Sequence, residues 1–199
     1  MPDRGSNNED IIFMGVGRAL SAWERFEWQL AIVFGLLVSR DGDPLAARRA
    51  YGSVVSFRGR TDMVLAASRA AFWQEPGAEI HKELENHIIE AGRFSARRNE
   101  IAHGVVDMYD RGIPPFIGGH PGFALGPARY ATNKIKIKEA RHALEAEHLA
   151  PGYAYSAPEL AVFSEHFQRL CEDASRIVIK LFQHSDIVTR DEVSSLNSS

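Results

Sequence analysis

Between Leu160 and Leu181 the apolar residues Leu160, Phe163, Phe167, Leu170, Ala174, Ile177 and Leu181 return at alternating steps of three and four. Only an α-helix gathers such positions onto one stripe, and a stripe this long has to be buried against other helices. Just upstream, Ser156-x-x-Glu159 has the pattern of a capping box, with Pro158 in the first turn. Residues 9–39 carry a second stripe through Val16, Leu20, Trp23, Phe26, Leu30, Val33 and Leu37, with Ser6-x-x-Glu9 as its expected cap. A third runs over about 77–103 through Ile80, Leu84, Ile88, Ala91, Phe94 and Ile101, and Gly104 is its expected stop. Between the first and third, Asp43-Pro44 reads as an N-cap followed by the first helical residue. Gly52 and Gly59 bracket a weak point, where Ser56 recaps a helix running to Phe72, and Glu75-Pro76-Gly77 breaks the chain again.

Residues 104–155 have a different character. Prolines and glycines concentrate between Gly112 and Pro127, and short β-like pieces fall at Val105–Tyr109, Phe123–Leu125, Lys134–Lys138 and Tyr153–Tyr155. The alternation Lys134-Ile-Lys-Ile-Lys138 suits an edge strand, and a short helix is expected around Glu139–His148. Too few apolar residues lie here for an independent core, so the segment reads as an insertion. The expectation is an all-α fold, a four- or five-helix up-and-down bundle with a β-containing insertion between the last two long helices. Residues 1–8 are expected to be a flexible lead-in, 9–185 one helical domain with the insertion at 104–155, and 186–199 a flexible tail.

Composition narrows the function. With one cysteine, Cys171, in 199 residues, no internal disulfide and no CxxC zinc or redox site is possible. The longest apolar run, Leu30 to Val38, is about half a bilayer span. The opening MPDRGSNNED has no secretory h-region. A soluble, cytoplasmic protein with no membrane partner is therefore expected. The net charge of -3 argues against broad electrostatic capture of nucleic acid. The charge is uneven, however: 40–73 carries six Arg against three Asp, and 93–103 three Arg against one Glu. Of the 23 basic residues, 18 are Arg, the better geometric match to phosphate.

The end of the third helix, ARRNEIAHG, holds the one local oddity. With Phe94 at the origin of a helical wheel, Arg98 falls at about 40°, among Ile80, Leu84, Ala91 and Ile101. Asn99 and His103 lie at about 140° and 180°, an i, i+4 pair. A guanidinium on an apolar face needs a partner or a polar cleft. One reading makes Arg98 structural, paired with Glu24, Glu27 or Asp62, and His103 a helix C-terminal residue favoured by the macrodipole. The other makes the group a site.

Arg98-Asn99-Glu100-Ile101-Ala102-His103 resembles the signature of HEPN domains, an Arg followed four to six residues later by His with a polar residue just after the Arg. The architecture over residues 9–184, with the motif late in a bundle helix and an insertion behind it, is also similar to bacterial members of that group. The length of the insertion departs from the family pattern. The resemblance implies a metal-independent endoribonuclease of toxin, phage-defence or RNA-processing type, needing no cofactor and working as a homodimer. Arg98, Asn99 and His103 would be its catalytic residues. RNA cleavage by the 2′-OH needs one group to accept a proton, one to donate it and a cation on the phosphorane. An imidazole titrating near neutrality can do the first or second, and an Arg can hold phosphate oxygens bidentately. Arg97, Arg58 and Arg60 are candidates for binding substrate. An antitoxin or regulatory protein is a further implied partner. The alternative is a non-catalytic helical module that binds nucleotide, RNA or protein through the same polar notch.

The remaining motifs point away from other chemistries. His81 and His87, like His142 and His148, are six apart, a poor spacing for a helical zinc pair, and all four are expected at the surface or rim. Gly15-x-Gly17 lacks the strand and third glycine of a dinucleotide fingerprint and is expected to allow close helix packing. The loop Gly118–Gly122 is expected to be an ordinary connection, and Cys171 a packed thiol. No P-loop, Gly-x-Ser-x-Gly elbow or carboxylate-rich metal box occurs.

Overall fold

The structure, a computed structural model, describes residues 5–39, 44–73, 77–109, 122–128 and 153–196, and side chains in the last stretch as far as His184. Among these described residues, five helices and a two-stranded sheet follow in the order α1 Glu9–Val38, α2 Leu45–Ser53, α3 Phe57–Ala71, α4 Ala78–His103, β1 Gly104–Tyr109, β2 Gly122–Pro127 and α5 Ala157–Leu196. The fold is all-α with a small antiparallel sheet inserted between the last two helices, as the hydrophobic periodicity implies. The expected strand at Lys134–Lys138, the helix at Glu139–His148 and most of the Gly118–Gly122 loop lie outside the described residues. The chain divides into two compact units, Met1–Trp23 with Ala96–Phe167, and Glu24–Ser95 with Gln168–Ser199. The division falls inside α1, α4 and α5.

In the first unit, β1 and β2 pair antiparallel from Gly104↔Pro127 to Tyr109↔Gly122. Phe123 exchanges both backbone hydrogen bonds with Ser6 (2.7 and 2.8 Å), and Leu125 does the same with Tyr155 (2.8 and 2.9 Å). An antiparallel residue directs its N–H and C=O to one side, so β2 has partners on both edges. Ser6 is therefore joined to β2 by an isolated antiparallel bridge. The close approach needs glycine. A Cβ on Gly122 would lie 2.6 Å from the Ser6 carbonyl oxygen and 2.7 Å from the Gly5 carbonyl carbon. The buried apolar side chains of this unit include Ile12, Ala19, Trp23, Ile101, Leu125, Leu160 and Phe167, with the Trp23 and Phe167 rings edge-to-face at 5.0 Å. Gly15 lets α1 close on α5, since a Cβ there would sit 3.0 Å from that of Leu160, whereas Gly17 faces open space.

In the second unit, Phe26, Leu30, Val33 and Phe34 of α1 are buried with Tyr51, Val64, Ile80, Leu84, Ile88, Leu170, Ala174, Ile177 and Leu181. Ser56 caps α3 as expected, its hydroxyl accepting from the Gly59 N–H at 3.0 Å. Gly77 adopts φ +119°, a conformation that L side chains avoid, and this turn opens α4.

Four boundary expectations are corrected. Asn8, rather than Ser6, caps α1: its Oδ1 accepts from the Asp10 N–H at 2.8 Å. Pro44 occupies the cap position of α2 with no side-chain cap bond, and the helix begins one residue later than expected. Gly104 does not form a left-handed stop; it is the first residue of β1, so helix passes directly into strand. Helix α5 continues to Leu196 where a flexible tail was expected, because residues 186–196 contain neither Gly nor Pro to end it. The capping box at its start is present, with the Glu159 carboxylate accepting from the Ser156 N–H and hydroxyl, both at 2.9 Å.

Candidate functional site

Helix α4 delivers Arg97, Arg98, Asn99 and His103 to its last two turns in the first unit, immediately before β1. Asn99 and His103 are exposed one turn apart on the same side, and Arg98 is half-buried beside them. The Arg98 Nη1 donates to the Asn99 Oδ1 at 3.3 Å. The guanidinium expected on the apolar face thus reaches out to the polar edge of the helix. Only part of the group reaches that edge, since the Arg98 Nε is buried. His103 is the last residue of α4, at the negative end of the helix dipole.

Arg97 is engaged within the fold. Its Nη1 donates to the Glu100 carboxylate at 2.6 Å and to the Tyr155 hydroxyl oxygen at 2.9 Å. The Tyr155 hydroxyl in turn donates to the same Glu100 carboxylate. Tyr153 completes the group, its hydroxyl donating to the Glu100 backbone carbonyl at 3.0 Å. Burial, then the Glu100 carboxylate, pushes the Tyr155 phenol up to about 12, so it remains a neutral donor at physiological pH. Its contact holds Arg97 more firmly protonated than usual. Arg97, Glu100, Tyr153 and Tyr155 therefore tie residues 153–155 to the last turn of the motif helix. This locks the backbone on which Arg98, Asn99 and His103 stand.

Neither Arg58 nor Arg60 belongs to this unit. Arg60 pairs with Glu27, donates through Nε to the Val54 carbonyl at 2.7 Å and lies over the Tyr51 ring, its side chain only 22% exposed. These contacts hold Arg60 within the second unit. Arg58 is exposed and faces Asp62 at 3.8 Å.

Among the histidines, His87 is corrected from rim to buried, at 8% exposure. It lies three residues after Leu84 and four before Ala91, on the buried stripe, with its ring edge-on to Phe26 at 5.5 Å. His81 is half-buried and its Nδ1 shares a 2.9 Å hydrogen bond with the Ser68 hydroxyl. Ser68 has no exposed surface, so this pair cannot present a nucleophile to a substrate. His142 and His148 lie outside the described residues. Cys171 is half-buried, with its thiol pushed up chiefly by burial, consistent with a packed rather than reactive role. Among the described residues no three His, Cys, Asp or Glu side chains gather as a metal-binding group. No helix there is long and apolar enough to cross a membrane.

Glu100, Tyr153 and Tyr155 are the members that sequence reasoning missed. The i, i+3 relation of Arg97 and Glu100 was visible, but the tyrosines stand more than fifty positions away and reach α4 only in the folded chain. No protein-family model matches the chain, and comparisons with curated proteins and with solved structures found no match.

Proposed function

We propose that the protein is a metal-independent endoribonuclease of the HEPN type, with Arg98, Asn99 and His103 as its reacting constellation. One observation carries this reading: an exposed imidazole and an exposed carboxamide one turn apart, with an arginine guanidinium hydrogen-bonded to the carboxamide. In this mechanism one histidine accepts the 2′-OH proton and O2′ attacks phosphorus. Arg98 neutralises the developing phosphorane charge, and a second histidine donates a proton to O5′ as the P–O5′ bond breaks. A single His103 cannot hold both roles at once, so a two-fold homodimer with two motifs at one cleft supplies the acid and the base. Asn99 orients Arg98. Arg97, charge-balanced by Glu100, holds the scaffold. Toxin, defence or RNA-processing use, with an antitoxin or regulatory partner, follows from the same reading.

The test is incubation of purified protein with single-stranded RNA in EDTA. Fragments should end in 2′,3′-cyclic phosphate and 5′-OH, and His103→Ala should lower the rate by at least about 100-fold. Strict dependence on added Mg²⁺ or Mn²⁺ would overturn the mechanism.

A further inference from the structure

Helix α2 has the sequence LAARRAYGS, with two arginines and no acidic residue. Arg48 reaches to α1, where its guanidinium lies over the Trp28 ring at 5.7 Å. The indole is 57% exposed, so the stack stands at the surface of the second unit and not in its core. Cation–π contact holds a guanidinium in one orientation without neutralising it. Of the Arg48 nitrogens, Nε alone is buried without a partner, and the forked end of the group is the part it can offer to another molecule. Arg49, the next residue, and Arg25, one turn before Trp28 on α1, are both exposed. Among the described residues none of these three arginines forms an ion pair. Of the nearby carboxylates on α1, Glu27 is buried and paired with Arg60, and Glu24 has its own interaction within the fold. Leu45, 44% exposed, stands one turn before Arg48 on α2.

An exposed indole flanked by arginines that no carboxylate neutralises has a defined complement. Arginine forks match carboxylates bidentately, and a fork already ordered by stacking loses less freedom when it binds one. Tryptophan and arginine are also the residues that most often dominate the energy of protein interfaces. The complement therefore sets carboxylates around an apolar side chain. A nucleic acid fits less well. One ring face already holds a guanidinium, and three arginines on a chain of net charge -3 give a weak field for a phosphate backbone.

We propose that Trp28 and Arg48, with Arg25 and Arg49, form a docking surface for an acidic segment of a partner protein, whose carboxylates meet the arginines while an apolar residue packs on the indole. The surface belongs to the second unit, and Arg98, Asn99 and His103 to the first, so the assignment stands independently of the ribonuclease reading.

The experiment titrates full-length protein into a fluorescently labelled random copolymer of glutamate and tyrosine, into polyglutamate and into polyuridylate, with anisotropy as the readout. The polyuridylate arm uses the His103→Ala background, which leaves RNA intact. The copolymer should bind most tightly. Trp28→Ala, and separately Arg48→Gln with Arg49→Gln, should each weaken it by about 10-fold or more. Arg49→Glu should weaken it as much, whereas Arg18→Glu, an equal charge change at an exposed arginine of the first unit, should shift binding by less than about 2-fold. If Trp28→Ala fails to fold, the comparison of Arg49→Glu with Arg18→Glu decides, since both side chains are exposed. No binding of the copolymer, equal binding of polyglutamate, or equal losses at Arg18 and Arg49 would overturn the proposal. Polyuridylate that binds more tightly than the copolymer and weakens with the same substitutions would overturn it in favour of a nucleic-acid surface. RNA cleavage is a separate measurement, so any of these failures leaves the ribonuclease reading standing.

Discussion

His87 shows how much one residue's surroundings can impose. Its ring is buried in the second unit against Phe26, its Nε2 has no hydrogen-bond partner among the described residues, and burial pulls its pKa below the ordinary value. Asp173 and Glu83 pull the other way, Arg176 opposes them, and a bond to the Leu170 backbone favours the charged form slightly, but desolvation dominates. The folded state therefore binds fewer protons at this site than the unfolded chain once the pH drops below about 6.5. Stability from the neutral ring is complete above that pH and is lost as the pH falls toward the folded-state value. The melting temperature should fall between pH 7.5 and 5, and His87→Leu should flatten that dependence. An unchanged slope in His87→Leu would show that other groups govern it. Histidine spacing gave no hint of this, since burial depends on which face of α4 is covered.

At the scale of elements, the Glu27–Arg60 pair joins α1 to α3 and reaches the end of α2 through the Val54 carbonyl. Its neighbour Tyr51 has its phenol pushed well above the usual range, first by burial and then by Glu27. Truncating Arg60 removes the cation that faces the Glu27 carboxylate, whose side chain is 7% exposed. Arg60→Met should cost about 2–4 kcal/mol, the lower end reflecting the partial exposure of the arginine. Urea denaturation measures this, and a loss below about 0.5 kcal/mol would mean the pair is a surface contact in effect. The helices themselves were readable from spacing: six of the seven seam residues of α5 are buried, all but Phe163. Their ends were less readable, because Asn8, Ser6, Pro44 and Gly104 take roles that depend on which backbone groups the sheet and turns leave open.

For the whole molecule the decisive question is assembly. The proposed chemistry needs two imidazoles at one cleft, and the net charge of -3 supplies no general attraction for RNA. A homodimer is therefore expected by light scattering at micromolar concentration. Mixing unaltered protein with excess His103→Ala protein should lower activity below the share of unaltered chains, because a mixed dimer holds one imidazole where the chemistry needs two. A monomer with full activity would refute the shared site.

Sequence alone determined the helical class, the position of the insertion and the six-residue motif, because amphipathic periodicity and capping are local properties written within a few turns. It also marked Arg98 as unusual on an apolar helix face, with Asn99 and His103 an i, i+4 pair beside it. Only tertiary structure decided that Arg60 belongs to Glu27, that His87 is buried, and that Arg97 is held by Glu100 and Tyr155. Those outcomes depend on contacts across 33 and 58 positions for Arg60 and Arg97, respectively. Charge, burial and hydrogen-bond satisfaction are settled by which groups fold into reach of one another, and no local pattern specifies that.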